Sequence, residues 1–321
     1  MRTEDSLRAL ARTVLYEGYL LWPYRRSALK NRHRFTIGGI YPEAYAKIAS
    51  DRSGVAFDAL LTGQDPRVEI TVRFLRLVRR QVLLDGSPVD RATIEDRSYV
   101  TWDEAVEEEV CATVRPGPPA ITPIDRPPFE REEPIANGVT LHRAARRLLG
   151  EVSCALDTIG GGHLLRVDIV NRTQWDGVDR DDALRSTLLA CHVVARATAG
   201  DFVSTVDPSD ELRSAADACR TDGLWPVLAL PEPDTSTVFA APIILEDRPR
   251  IAPESPGDLF DGGEIDELLI HNIRALTDAE REEIRATDSR AGELLDRSLA
   301  LDPYQLARLH GTVRSSDAVR P

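Results

Sequence analysis

Apolar and polar positions change period along this chain, and the changes mark its elements. Residues 4–16 place Leu7, Leu10, Ala11, Val14 and Leu15 on one stripe at helical spacing, which predicts an amphipathic helix. Gly18 and Pro23 then break regular structure, and Pro42 opens a short helix to about Ser50. From Pro66 the period becomes two. Val68, Ile70, Val72 and Phe74 alternate with Glu69, Thr71 and Arg73, a half-buried strand that Gln81–Leu84 continues before the turn signal Asp85–Gly86. Tyr99–Trp102 and Val106–Val114 read as further strands.

Seven prolines between Pro116 and Pro134 exclude a helix or a central strand there, so 115–134 is expected to be an extended surface connection. Strand signals resume in a hairpin, Val152–Thr158 and His163–Asn171, around Gly160, Gly161 and Gly162. Thr187–Thr198 is apolar on both faces; its β-branched Val193 and Val194 favour a strand. Phe202–Val206, Trp225–Leu230 and Thr237–Leu245 extend the series. After Pro249 the chain turns helical. Thr277 and Glu280 form a capping box, and Asp302–Pro303 starts another helix. The predicted class is α+β, mainly β. A central antiparallel β-sandwich spans 66–248, between an N-terminal helical, aromatic and basic segment (1–60) and an acidic loop with C-terminal helices (249–321).

Composition narrows the class. Hydrophobic residues at 42% and charged residues at 29% suit a globular chain. No run approaches the roughly 18 apolar residues of a membrane span. The opening MRTEDSLRALARTVLYEG lacks a secretory apolar core, so a cytoplasmic location is expected. A net charge of -13 opposes general nucleic-acid binding. Lys30 and Lys47 are the only lysines, an arginine bias that fits a GC-rich genome. The four cysteines, 111, 154, 191 and 219, are too far apart for a zinc or iron–sulfur motif and read as reduced thiols. The six histidines show no ligand spacing, and each is expected to be a satisfied structural residue. Cys191 and His192 would face opposite sides of a strand. No nucleophile elbow, P-loop or dinucleotide fingerprint is present, and no cofactor is expected.

Two segments stand out. Tyr16–Phe35, YEGYLLWPYRRSALKNRHRF, holds five aromatic rings and five Lys/Arg residues in an acidic protein. Such a mixture suits a protein-contact surface, with Tyr19, Trp22, Tyr24, Arg25, Arg26 and Arg32 as the contacting residues. The alternative is an internal hub whose rings anchor the first helix and whose cations pair with the chain's own acids. The second segment, PRIAPESPGDLFDGGEIDELL at 249–269, crowds six carboxylates into fourteen positions. Glu254, Asp258, Asp261 and Glu264 could ligate a divalent cation and serve a hydrolase, although the spacing is not an EF-hand. Alternatively, Asp261 belongs to an N-cap region, and Glu264, Asp266 and Glu267 complement a helix dipole.

These two segments, with HLLRVDIVNRTQW at 163–175, resemble a family of uncharacterised proteins associated with nickel–iron uptake hydrogenase gene clusters of actinobacteria. The resemblance is scattered over about residues 15–310 and carries no catalytic residues. It implies an accessory, assembly or maturation role, with another protein, a hydrogenase subunit, as partner.

Overall fold

The computed structural model describes residues 3–16, 34–35, 37–95, 97–206, 208–249, 266–287, 289–302 and 305–306. The element order is α1 (Thr3–Tyr16), α2 (Glu43–Ala49), β1 (Gly54–Leu84), β2 (Ser87–Val89), β3 (Arg91–Ile94), β4 (Arg97–Val100), β5 (Trp102–Val114), β6 (Ala120–Arg126), β7 (Phe129–Ala136), β8 (Val139–Ala145), β9 (Leu148–Ile159), β10 (Gly162–Asn171), α3 (Arg180–Leu184), β11 (Leu189–Val203), α4 (Arg213–Asp217), β12 (Thr221–Asp222), β13 (Trp225–Leu228), β14 (Thr237–Ala241), α5 (Asp266–Arg274), α6 (Asp278–Thr287) and α7 (Ser289–Ala300). The architecture is mainly antiparallel β with helices at both ends, as the sequence patterning predicts. Twelve strands join in one continuous sheet without barrel closure, and β3 and β4 form a separate ribbon.

The sheet is organised around β1, a strand of 31 residues. Along one edge it takes β10, then β5, then β2. Along the other it takes β12, β11 and β8. The strand therefore begins at Gly54, twelve residues before the alternation from Pro66 suggests, and the sheet runs to Ala241.

The reason lies at a corner. Before it, Val55, Phe57, Ala59 and Leu61 enter the main core; after it, Val68, Ile70, Val72 and Phe74 do. Inward positions switch from odd to even because the β1–β11 register shifts between Thr62 and Arg67. An extra-residue kink of this kind re-aims a strand's faces. Two glycines make it. Gly63 and Gly200 have φ of +130° and +107°. A Cβ on Gly63 would sit 2.6 Å from the Gly200 Cα, and one on Gly200 would sit 2.3 Å from the Thr62 carbonyl oxygen.

The proline-rich stretch is not a bare connection: it carries β6 and β7. Both lie at sheet margins, β6 paired with β9 and β7 with β8, so prolines 123 and 134 stand where a missing N–H can be tolerated. The hairpin β9–β10 forms as its alternation predicts, with register Gly162↔Ile159 to Asn171↔Gly150. Helix α1 lays Leu7, Leu10, Ala11 and Val14 on Ala229, Leu230, Phe239 and Ala241. The α5–α7 unit contributes Ile273, Ile284, Ala291, Leu294 and Leu295 to a second core with Leu75, Leu77, Trp102 and Ala105. The Thr277 box is closed by bonds from Thr277 N to Glu280 Oε2 (2.7 Å) and from Glu280 N to Thr277 Oγ1 (3.3 Å). Asp302 and Gln305 exchange a similar pair at 2.9 and 2.7 Å. Among the described residues, no helix is long and apolar enough to cross a membrane.

Gly200→Ala meets both a left-handed φ and a backbone clash. It is expected to cost at least about 2 kcal/mol in urea unfolding. Gly160→Ala, with nothing within 4 Å of the added methyl, should stay within about 0.5 kcal/mol. Equal effects would remove the corner from the account.

Candidate functional site

Tyr19, Trp22, Tyr24, Arg25, Arg26 and Arg32 lie outside the described residues, as do Glu254, Asp258, Asp261 and Glu264. Among the described residues, no group of three His, Cys, Asp or Glu is placed to hold a metal ion. The structure does describe both ends of the aromatic and basic segment. Tyr16 is fully buried and donates its hydroxyl to Glu107 Oε1 at 2.8 Å. Arg34, 9% exposed, stacks its guanidinium 3.5 Å from the Trp102 ring centroid. Arg180 donates to the carbonyls of Arg34 (2.8 Å) and Phe35 (3.2 Å). Phe35 is itself part of the second core. These three residues serve the molecule's own packing. Their docking points, Trp102 and Glu107, lie on one strand, β5, and within about 17 Å at strand rise.

Strand β5 can receive them because it is acidic and faces an arginine-rich stretch of β1. Their antiparallel register sets Arg73 opposite Glu109, Leu75 opposite Glu107 and Arg79 opposite Asp103. Direct and diagonal neighbours in such a pair are within reach of long side chains. Arg73 Nη2 lies 3.0 Å from Glu107 Oε2. Arg80 Nη1 lies 2.7 Å from Glu104 Oε1, and Arg143 shares the same carboxylate at 2.8 Å. Arg76, 4% exposed, reaches Glu108 at 3.7 Å and donates to the carbonyls of Arg126, Pro127 and Arg146.

Burial pulls the Arg76 pKa down, with Glu108 opposing. At Arg143 burial acts the same way, but hydrogen bonds to Glu104 and Glu133 outweigh it and hold the pKa up. Both groups keep their charge, since guanidinium does not deprotonate in proteins. Arg80 does most to join distant parts. Its Nη2 donates to the carbonyls of Ala286 (3.0 Å) and Thr287 (2.9 Å) at the end of α6, and its Nε donates to Val100. Helix-terminal carbonyls lack intrahelical donors and carry partial negative charge, so a cation is favourable there. The arginines at 73, 76, 79 and 80 and the acids at 103, 104, 107, 108 and 109 are plain in the sequence. Their pairing required the β1–β5 register.

The remaining candidate chemistry is structural. Cys154 and Cys191 are buried and their thiols are pushed up to about 12; Cys219 reaches about 11, again chiefly by burial. Such thiols are poor nucleophiles at neutral pH. Asn171, which with Arg172 and Thr173 matches the Asn-x-Thr pattern of a glycosylation acceptor, is 1% exposed and donates to the Ile40 and Ser186 carbonyls at 2.8 Å. Its amide is engaged and inaccessible to a glycosyl donor. Cys191 joins the main core, while His192 on the opposite face packs against Phe239. His163 bonds Thr158 Oγ1 and the Gly63 carbonyl. His192 departs from the expectation of a satisfied ring. It is fully buried, Nδ1 lies 3.1 Å from the Ala190 carbonyl, and Nε2 has no partner among the described residues.

No family model matches this chain, and no curated protein does. A solved chain, from the open-gate structure of the Salmonella SPI-1 type III secretion injectisome secretin InvG (residues 176-end), aligns at 10% identity and a TM-score of 0.12. The alignment covers 73% of this chain and 75% of that one, and similarity at that level carries no argument about fold or function.

Burial lowers the His192 pKa to about 4, with the Arg73 charge adding to the effect against the Ala190 hydrogen bond. The unfolded chain, at about 6.5, therefore binds the proton first, and this contribution to stability is lost as pH falls from about 6.5 to 4. Unfolding free energy measured across that window should fall less in His192→Leu than in the parent, by about 2–3 kcal/mol. Parallel curves would contradict a neutral buried ring.

Proposed function

We propose that this chain is a non-catalytic accessory or assembly protein that works in the cytoplasm by protein–protein contact. Its contact surface is Tyr19, Trp22, Tyr24, Arg25, Arg26 and Arg32, and its partner is a hydrogenase subunit. The observation that carries the reading is the anchoring of both flanks of these residues. Tyr16 is bonded to Glu107, and Arg34 is stacked on Trp102. Fixing the ends of a contact segment beforehand removes part of the ordering cost that binding would otherwise meet. Aromatic rings beside guanidinium groups are the residue types that dominate protein hot spots. The cations also oppose the sign of a molecule with net charge -13, so they favour an acidic patch on the partner. The similarity of three segments to proteins associated with hydrogenase gene clusters supplies the partner class.

The test is affinity capture of the tagged chain from cells expressing a nickel–iron hydrogenase, followed by mass spectrometry. Trp22→Ala combined with Arg25→Ala should abolish recovery of the hydrogenase subunit and leave the melting temperature nearly unchanged. Undiminished recovery would refute the contact surface. A large loss of stability with the same substitutions would assign these residues to the interior.

A further inference from the structure

We propose that the groove between α1 and the outer face of the sheet binds a small molecule carrying an oxyanion, a carboxylate or a phosphate, on a short apolar body. The groove has a volume of about 470 Å³, within the range of small-ligand sites. Its wall is apolar where Leu7 and Ala11 of α1 meet Val194 of β11. Its charged lining runs against the molecule as a whole: four arginines, 8, 12, 73 and 196, against two glutamates, 69 and 109.

Both acids already have cations beside them. Glu69 has Arg67 at 3.9 Å and Glu109 has Arg73 at 3.7 Å. Arg12 leans toward Glu107 at 3.9 Å. Arg196 is different. It stands directly opposite Glu69 in the β1–β11 register, yet among the described residues it makes no hydrogen bond or ion pair with it or any other. Asp234 feels its charge without bonding to it. Beside it, the Thr71 hydroxyl has only a 4.0 Å contact with the Cys111 thiol.

The floor of the groove thus offers a guanidinium and a hydroxyl in excess of what the protein's own acceptors use. That surplus of donors fits an acceptor-only group such as a carboxylate or phosphate. The wall of Leu7, Ala11 and Val194 fits the hydrocarbon next to it. None of the groove's described lining residues belongs to the proposed partner surface at residues 19–32.

Titration calorimetry on the full chain tests it with sodium octanoate, phenyl phosphate and inorganic phosphate at matched ionic strength. At least one organic probe should bind, and which of the two binds tighter distinguishes carboxylate from phosphate. Inorganic phosphate should bind more weakly than that probe. Arg196→Gln, at a partly exposed position, should fold normally and weaken binding about tenfold; Arg8→Gln provides an independent second variant. Trp22→Ala with Arg25→Ala should leave binding unchanged, which separates failure here from failure of the partner surface. Binding by neither organic probe, or binding that both groove variants leave intact, would overturn the proposal. Phosphate binding as tight as the better organic probe would overturn the apolar part of it.

Discussion

The contact that holds the parts of this molecule together is the arginine–carboxylate ladder between β1 and β5. Arg80 binds Glu104 and the last carbonyls of α6. Arg76 collects carbonyls from the β6–β7 and β8–β9 connections. Glu107 receives Tyr16 from the end of α1. Asp103 receives Arg185, just past α3, at 3.2 Å. Segments far apart in sequence are therefore fixed to one two-stranded ribbon. Removing the acid of such a pair is costly where the arginine left behind is buried, as Arg76 and Arg80 are, even where the intact pair adds little net stability. The ladder works as a device for placement: it sets where the helices and turns sit on a sheet whose stability comes from apolar burial.

That placement links the fold to the functional reading. The aromatic and basic segment leaves the described structure at Tyr16 and returns at Arg34, both docked on β5. The same Glu107 that takes the Tyr16 hydroxyl also orders Arg73, which lines the groove beside α1. Partner contact and anion binding, as proposed, would both draw on one electrostatic framework.

Local physics made much of this legible. The α1 stripe, the Thr277 box, the Gly160–Gly161 hairpin and the opposed faces of Cys191 and His192 depend on residues within a few positions of one another. Long-range geometry was not legible. The first third of β1 is hidden because the corner at Gly63 changes the parity of its inward residues. Edge strands β6 and β7 are masked by prolines, whose tolerance depends on which strands lie beside them. Tyr16 bonds Glu107, 91 residues away, and Arg34 bonds the Asp103 carbonyl, 69 residues away, so local pattern could not choose between a surface and an internal role for them. The burial of His192 beside Phe239 and opposite Arg73 depends on pairing with distant strands, which no local pattern announces.

Amide hydrogen exchange of an Arg80→Met variant tests the ladder most directly. Methionine keeps the apolar stem and removes the bonds to Glu104, Ala286 and Thr287. Amides of α6 and α7 should exchange about tenfold faster or more, while the β9–β10 hairpin keeps its protection. Unchanged exchange in those helices, or an equal loss of protection throughout the chain, would contradict the role given to this contact.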